Sequence, residues 1–278
     1  MYTHPASDAT TSKPFLKWTG GKSRVLPKLL PLLPPGGRLI EPFVGAGSVF
    51  LGTDYDRYVI NDANADLAAV WAALQSRPHE FIEHVSALFV ESGLSQEAYL
   101  RIRAEFNAST HRFERAVRLP YLNKFGFNGL FRVNRKGEFN VPYGAPASVP
   151  VFDVQRYEAA AVKLARCLVL NGGYAAAIEL AGAGDVVYCD PPYLDSTSGT
   201  SFTGYTAHGF SKADHERLLA CCVQAASRGA KVLVSNHDTP EARALFKGWH
   251  IEAFAVRRSV GARPGSRGEV RELVAVSQ

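Results

Sequence analysis

The chain has no apolar run near the ~18 residues that a membrane-spanning helix requires. Its N-terminus, MYTHPASDATTSKP, is polar and lacks the apolar stretch of a signal peptide. The four cysteines show no C-x-x-C spacing and no matching histidine pairs, which argues against a zinc site or a disulfide scaffold. We therefore expect a cytoplasmic protein without a metal or a membrane anchor, in which residues 1–13 form a flexible tail.

A phosphate-binding loop is also incomplete. The stretch KWTGGKS, residues 17–23, ends in the Gly-Lys-Ser of such a loop, but Leu16 occupies the position of its first glycine. No strand-like run precedes it, whereas the loop normally follows a strand. A triphosphate site is therefore weakly supported, and the stretch needs another explanation.

Hydrophobic residues make up 46% of the 278 positions, which is enough for a sizeable core in one large domain or one domain with an insert. The net charge is +5, and many of the basic residues fall in two clusters. The clusters are Arg101, Arg103, Arg112, Arg115, Arg118, Lys124, Arg132, Arg135 and Lys136, and then Arg257, Arg258, Arg263, Arg267 and Arg271. Such clusters fit either two solvated basic faces or a polyanionic partner.

The pattern of apolar residues predicts an α/β fold with an insert. A strand RLIEPF, a Gly-rich turn, a short helix and a strand RYVIND open a βαβ unit, and alternating helices and strands resume after about residue 152. Residues 64–124 have helical periodicity instead, and the aromatic, Gly-rich stretch after them contains a predicted hairpin turn at Lys136-Gly137. The chain is expected to end in a hairpin of two further strands.

Two strand ends carry candidate chemistry. Gly45 and Gly47 follow the first strand, where a parallel sheet binds ligands, and Asp62 ends the second strand, where a carboxylate can accept from ribose hydroxyls. No third glycine completes a dinucleotide motif, so the turn can also be a plain tight connection. Asp62 can equally be a helix cap.

The more specific signal is Asp190-Pro-Pro-Tyr193, which ends the apolar strand DVVYC. Two prolines fix an extended backbone that presents carbonyl groups outward. A carboxylate, a fixed carbonyl and an aromatic face together suit a planar amine with two N–H groups. The Gly, Ser and Thr-rich loop that follows directly, residues 194–209, is predicted to become ordered over this site when its ligands bind.

Six ordered stretches, FLKWTGGK, EPFVGAGSVF, NDANADL, YLNKFGFNGLFRVNRKGEFNVPYG, VVYCDPPY and VSNHDT, closely resemble the Dam-type DNA adenine N6-methyltransferases. The resemblance implies a Rossmann-like S-adenosylmethionine-dependent methyltransferase sheet with an inserted, mainly helical DNA-recognition domain plus a hairpin. The catalytic domain would comprise residues 14–63 and 150–278, and the insert residues 64–149. In this family the stretch around Trp18 and Lys22 belongs to the cofactor site, so its Gly-Lys-Ser ending is a look-alike.

The resemblance also assigns roles to individual residues. The positions matching the cofactor site are Trp18, Lys22, Phe43, Gly45, Gly47, Asp62 and Asp190, and those matching the catalytic motif are Asp190, Pro191, Pro192 and Tyr193. Lys17, Leu130, Arg132 and Pro142 match residues that read the bases of GATC, and Phe127 and Asn128 match the pair that enters the helix. Arg103, Lys124, Asn134 and Asn140 match phosphate contacts. Ala145 departs from the family, which often has a phosphate-binding arginine there.

The implied activity is methyl transfer from S-adenosylmethionine to N6 of adenine in double-stranded DNA, within GATC, by base flipping. The partner would be double-stranded DNA, with no membrane and no obligate protein partner, in a bacterial or phage-encoded, nucleoid-associated enzyme. Mismatch repair, replication timing, transcription and restriction protection all remain open as its role. Alternatives are a cytosine N4-methyltransferase, an adenine methyltransferase with another short target, a protein glutamine methyltransferase, a nucleotide-dependent dehydrogenase and a non-catalytic DNA-binding protein.

Overall fold

The computed structural model describes residues 13–194, 210–257 and 269–278. In these ranges seven strands are β1 (Arg38–Glu41), β2 (Arg57–Asp62), β3 (Cys167–Asn171), β4 (Asp185–Cys189), β5 (Lys231–His237), β6 (His250–Arg257) and β7 (Glu269–Val276). The α-helices are α1 (Leu26–Leu29), α2 (Ser48–Gly52), α3 (Ala65–Ser76), α4 (Pro78–Ser92), α5 (Gln96–Ala108), α6 (Arg112–Phe125), α7 (Val154–Leu164), α8 (Tyr174–Glu179), α9 (Lys212–Ser227) and α10 (Pro240–Leu245). Three 3-10 helices cover Lys22–Arg24, Leu30–Leu32 and Phe127–Gly129.

Three sequence-based expectations lie largely or wholly outside the described residues. They are the tail at residues 1–12, the loop at residues 195–209, and the second basic cluster at Arg258, Arg263 and Arg267.

The seven strands form one sheet in the order β3-β2-β1-β4-β5-β7-β6. The first five strands are parallel, and β7 pairs antiparallel with both β5 and β6. This confirms the α/β prediction and the closing hairpin. The chain runs from β1 outward through β2 and β3, and it then returns to place β4 on the other side of β1. The crevice between the carboxyl ends of β1 and β4 is therefore the switch point at which such sheets bind ligands.

The central strands are apolar because helices cover both faces of the sheet. Leu39, Ile40, Val186, Val187 and Val232 are fully buried. Their side chains divide between two buried clusters, one on each face of the sheet.

Residues 64–149, which lie between β2 and β3 and are called the insert below, form α3 to α6 followed by irregular chain, in agreement with the helical periodicity of their first part. Asn64 caps α3, because its side-chain oxygen accepts from the N–H groups of Asp66 and Leu67, and Ser95 caps α5 in the same way. The core on one face of the sheet continues into the insert through aromatic side chains such as Trp71, Phe81, Tyr121 and Phe125. α3 contacts β2 and β3 as well as α6, so this helix joins the sheet to the insert.

The predicted hairpin turn is also present. Val133 and Phe139 form a bridge, the Asn134 N–H donates to the Glu138 carbonyl at 2.9 Å, and Gly137 has a φ of +80°. Only glycine adopts such a φ without strain, which explains the Lys-Gly pair at the turn.

Candidate active site

The glycine turn after β1 approaches the N-terminal segment closely. Gly45 and Gly47 have φ values of +51° and +72°, and a Cβ atom at Gly45 would lie 3.1 Å from Cδ1 of Trp18. A Cβ at Gly47 would lie 3.0 Å from the Trp71 ring. Both the backbone conformation and the space therefore require glycine. Trp18 is half-buried, and its ring also packs 5.6 Å from that of Phe131.

Asp62 holds this turn from the end of the neighbouring strand. Its Oδ2 accepts from the Gly45 N–H at 3.1 Å, and its Oδ1 accepts from the Asn64 N–H at 2.9 Å. Burial raises the pKa of Asp62, and the two N–H groups oppose that rise. A carboxylate oxygen can accept more than one hydrogen bond, so Asp62 keeps capacity for a ligand hydroxyl.

Lys22 and Asp190 form an ion pair at the switch point. Lys22 Nζ lies 2.6 Å from Asp190 Oδ2, and the side chains are only 6% and 17% exposed. Nζ also donates to the Gly20 carbonyl at 2.8 Å and lies 4.9 Å from the centre of the Tyr193 ring. The lysine of the Gly-Lys-Ser stretch thus faces a carboxylate in this structure.

Asp190 keeps one oxygen unused. Its Oδ1 is buried and has no hydrogen-bond partner among the described residues. Burial raises the pKa of Asp190, while the Lys22 ammonium and then the Tyr193 hydroxyl act in the opposite direction. The carboxylate therefore combines a fixed position with a free acceptor atom.

The rest of the strand-end motif is held by β5 and β7. The Tyr193 hydroxyl donates to Glu272 Oε2 at 3.2 Å, and its ring meets that of His237 at 4.4 Å, edge to face. The Leu194 N–H donates to Asn236 Oδ1 at 3.1 Å. These contacts fix the chain directly after Pro191 and Pro192 without any donor from the prolines themselves.

Several residues around this site carried no sequence prediction. Glu41, at the end of β1, is 3% exposed, and its Oε1 has no hydrogen-bond partner within residues 13–194, 210–257 and 269–278. Burial, followed by the Asp190 charge, raises the pKa of Glu41. Tyr174 and Phe210 pack against Phe43, with ring centres 5.4 and 6.0 Å away, and make an aromatic wall beside the turn. In the sequence, Glu41 is distinguished only by its position at the end of a predicted strand, because the burial of a carboxylate leaves no pattern in a single sequence.

The N-terminal segment also contacts the insert. The Phe127–Gly129 turn leaves Phe127 50% exposed and puts Asn128 at a φ of +55°. The Phe127 N–H donates to the Pro142 carbonyl at 2.9 Å, which brings two predicted DNA-contacting positions together. Leu130 is partly buried against the core, and Lys17 is exposed beside the turn.

Predicted DNA-contacting residues in and beside the hairpin make hydrogen bonds within the protein. Arg132 Nε donates to Asn140 Oδ1 at 2.7 Å, and an Arg132 terminal nitrogen donates to the Asn140 carbonyl at 3.1 Å. Asn134 Nδ2 donates to Glu138 Oε2 at 2.7 Å in the turn. Arg103, on α5, donates to the Val141 carbonyl at 3.0 Å.

Lys124 lies in a different setting from these residues. It lines a cavity of about 220 Å³ together with Phe15, Phe89, Val151, Phe152, Asp153, Arg156 and Tyr157. Burial lowers the pKa of Lys124 to about 8, and the Lys17 and Arg156 charges contribute. Arg156 is a further basic residue beside a predicted phosphate contact that the sequence did not single out.

The described residues contain neither a metal site nor a membrane-spanning helix. No cluster of three or more His, Cys, Asp or Glu side chains there is arranged to hold a metal ion. No helix in the same ranges is long and apolar enough to cross a membrane.

Comparison with known proteins identifies the family. Residues 18–260 match the family model of the D12 class N6 adenine-specific DNA methyltransferases. The chain is 39% identical to a DNA adenine methylase of Vibrio cholerae over 94% of its own length and 95% of the relative's. It is 38% identical to the DNA adenine methylase of Escherichia coli K12, covering 95% of both chains. It is also 39% identical to the DNA N-6-adenine-methyltransferase of Escherichia phage P1, over 98% of this chain and 36% of that one. The protein therefore belongs to the D12 class of N6 adenine-specific DNA methyltransferases, and it methylates N6 of adenine in DNA.

Proposed function

We propose that the enzyme takes its methyl group from S-adenosyl-L-methionine and transfers it to an adenine extruded from double-stranded DNA within GATC. One observation carries the proposal: the Lys22–Asp190 ion pair lies at the switch point of the sheet and leaves Asp190 Oδ1 buried, with no hydrogen-bond partner in the part of the chain that the structure describes. A buried, unsatisfied acceptor is costly unless a ligand completes it.

The residues at this edge fit the donor. Asp62 would accept from the ribose hydroxyls, and the aromatic wall at Phe43 suits a purine ring. Lys22 and Asp190 would hold the charged methionine end, and the left-handed Gly45 and Gly47 let the backbone approach it. When bound, S-adenosylmethionine supplies an activated methyl group on a sulfonium.

Asp190 and Pro191 would act on the adenine amine. The N6 nitrogen is a poor nucleophile because its lone pair is delocalised into the ring. Hydrogen bonds from its two N–H groups to Asp190 Oδ1 and to the Pro191 carbonyl favour a tetrahedral nitrogen. These acceptors stabilise the positive charge that develops on N6 in the transition state, which is how such interactions accelerate the reaction. Pro192 keeps this segment rigid.

Tyr193 would stack on the extruded adenine, since Glu272 and His237 fix the orientation of its ring. Extrusion costs a few kcal/mol, which Phe127 would offset by entering the helix in place of the base. Half of the Phe127 side chain is exposed, as this role requires. Asn128, beside it, would meet the orphaned thymine.

The insert, residues 64–149, would then serve target recognition, and residues 14–63 and 150–278 would form the catalytic domain. Lys17, Leu130, Arg132 and Pro142 would read the bases, while Arg103, Lys124, Asn134 and Asn140 would contact phosphates. A guanidinium fork matches the O6 and N7 acceptors of guanine, which suits Arg132. Binding to chromosomal or phage DNA would place the enzyme in the cytoplasm, at the nucleoid.

The test is expression in a bacterial host that lacks adenine methylation, followed by genome-wide sequencing that reads both N6-methylated adenine and N4-methylated cytosine. We expect methylation at GATC with the wild type and none with Asp190→Ala. Methylation of adenine at another short site would refute GATC as the target but would leave the adenine mechanism intact. Methylated cytosine N4 would refute the adenine mechanism.

Calorimetry tests the donor separately. S-adenosylmethionine should bind and NAD should not, and Asp62→Ala should weaken binding. Asp54→Ala is the matched control, because Asp54 is an exposed carboxylate whose partner is Arg166. Equal effects of the two substitutions would contradict the role of Asp62.

A further inference from the structure

One buried amide joins the N-terminal segment to the turn at Phe127–Gly129. Asn123, on α6, is 1% exposed. Its Oδ1 accepts from the Lys17 N–H at 2.8 Å, and its Nδ2 donates to the Lys17 carbonyl at 2.8 Å. The same Nδ2 donates to the Gly129 carbonyl at 2.8 Å. Both backbone groups of Lys17 and the end of the turn therefore depend on a single side chain.

Lys17 and Gly129 are also in close contact. Gly129 has a φ of +65°, and a Cβ atom there would lie 2.6 Å from the Cβ of Lys17 and 2.7 Å from its Cδ. The turn thus packs directly on the stem of the Lys17 side chain. A shift of the turn relative to the N-terminal segment would therefore change the position of Phe127 relative to Lys17.

We propose that Asn123 is a positioning residue that determines target specificity by fixing Lys17 against the turn that carries Phe127 and Asn128. The proposal rests on the function proposed above, in which Lys17 reads a base and Phe127 enters the helix. No contact between Asn123 and DNA is required. Its effect passes through the two backbone segments that it holds.

The chemistry of this junction requires an amide. A carboxylate could still accept from the Lys17 N–H, but it would face the carbonyls of Lys17 and Gly129 with lone pairs instead of a donor. Two carbonyl groups that lose their donor in a buried site destabilise the folded protein. A fully satisfied hydrogen-bond network, in contrast, fixes one arrangement of the two backbone segments. Asn123→Asp therefore keeps nearly the same side-chain volume and the hydrogen bond from the Lys17 N–H. It replaces the two hydrogen bonds to the carbonyls of Lys17 and Gly129 with repulsive contacts.

The donor site should not depend on this junction. Lys22 is fixed independently by Asp190 and by the Gly20 carbonyl, and Trp18 packs against Gly45. Loss of the Asn123 contacts should therefore alter recognition of DNA while S-adenosylmethionine binding is retained.

Gln75 provides a matched control. Its Nε2 donates to the carbonyls of Leu164 and Cys167 at 2.7 and 2.6 Å, so Gln75→Glu makes the same exchange of amide for carboxylate against two carbonyls. Cys167 begins β3, so this amide lies at the amino end of the strands, opposite the active site. A general effect of the exchange on stability should appear in both variants, and it should be smaller in Gln75→Glu because Gln75 is half-buried whereas Asn123 is buried.

The experiment measures kcat/KM for wild type, Asn123→Asp and Gln75→Glu on a GATC duplex and on its single-base substitutions. It also measures S-adenosylmethionine affinity by calorimetry and thermal unfolding. We expect Asn123→Asp to lower kcat/KM on GATC about 100-fold, the effect of a misplacement near 1 Å. The substituted duplexes should lose much less, so discrimination falls, while Gln75→Glu should retain discrimination. An equal loss on every duplex, or unchanged discrimination, would overturn the proposal.

A second variant tests the proposal if Asn123→Asp does not fold. Gly129→Ala perturbs the same junction from the turn. Gly129 is buried with a φ of +65°, and the added methyl would lie 2.6 Å from the Lys17 Cβ, so the turn must move relative to Lys17 and the substitution should also reduce discrimination. If neither Gly129→Ala nor Asn123→Asp does so, Asn123 is structural only. If the wild type itself prefers another site, the proposed GATC target is wrong, and the same comparison on the preferred site still tests Asn123.

Discussion

The Lys22–Asp190 pair yields a prediction about stability and pH. Lys22→Met keeps the length of the side chain but leaves the Asp190 carboxylate without its cation, 2.6 Å away in the wild type, in a site where the two side chains are 6% and 17% exposed. Removing one partner of a buried ion pair costs about 3–5 kcal/mol. We expect a loss of this size in the free energy of unfolding near neutral pH.

The loss should shrink as the pH falls. Burial already raises the pKa of Asp190, and Lys22 is the main charge that opposes this rise, so Lys22→Met should raise that pKa further. A carboxyl group with a raised folded-state pKa binds protons more tightly in the folded state, so acid favours the folded state at this site. In the wild type, protonation of Asp190 leaves the buried Lys22 ammonium without its anionic partner. The two proteins should therefore differ least in acid and most at neutral pH.

Urea denaturation of both proteins between about pH 5 and pH 8 measures this difference. Methylation rates should show the same shift, because the acid limb of the variant should move to higher pH. Arg166→Met is the control, since it removes the exposed Arg166–Asp54 pair and should cost at most about 1 kcal/mol. A loss for Lys22→Met that is independent of pH, or as small as the control, would refute the reasoning.

The remaining predictions concern single residues. Asp190→Asn replaces the acceptor with an amide of equal size and should slow single-turnover methylation at least about 100-fold with DNA binding retained, so near-normal turnover would contradict its role. Gly45→Ala should weaken S-adenosylmethionine binding in calorimetry, whereas Gly137→Ala, which has a similar positive φ but open space, should not. Lys124→Ala should weaken DNA binding on all sequences and lower the salt slope by about one unit, whereas Arg132→Ala should reduce discrimination at a guanine. Because the pKa of Lys124 is lowered to about 8, wild-type DNA affinity should fall as the pH rises through 8, and Lys124→Ala should abolish that fall.

Local patterns in the sequence identified most of the fold. The strands at β1, β2, β4 and β5 are short apolar runs bounded by turn residues, and the helices of the insert repeat apolar residues at the helical period. The strand-end position of Asp190 followed from the same reasoning, since the carboxyl ends of parallel strands share one edge of the sheet. The comparisons confirm the family that the six motifs indicated.

The pairing of side chains was decided only by the tertiary structure. Asn123 and Lys17 are 106 residues apart in the chain, and nothing near either residue indicates that the amide holds both backbone groups of the lysine. The Lys22–Asp190 contact and the burial of Glu41 likewise depend on how the crossovers bring β1, β4 and the N-terminal segment together. A periodic pattern specifies which face of an element is buried, because burial repeats with the backbone geometry. It does not specify which distant polar group meets that face, because that depends on packing between elements far apart in the chain.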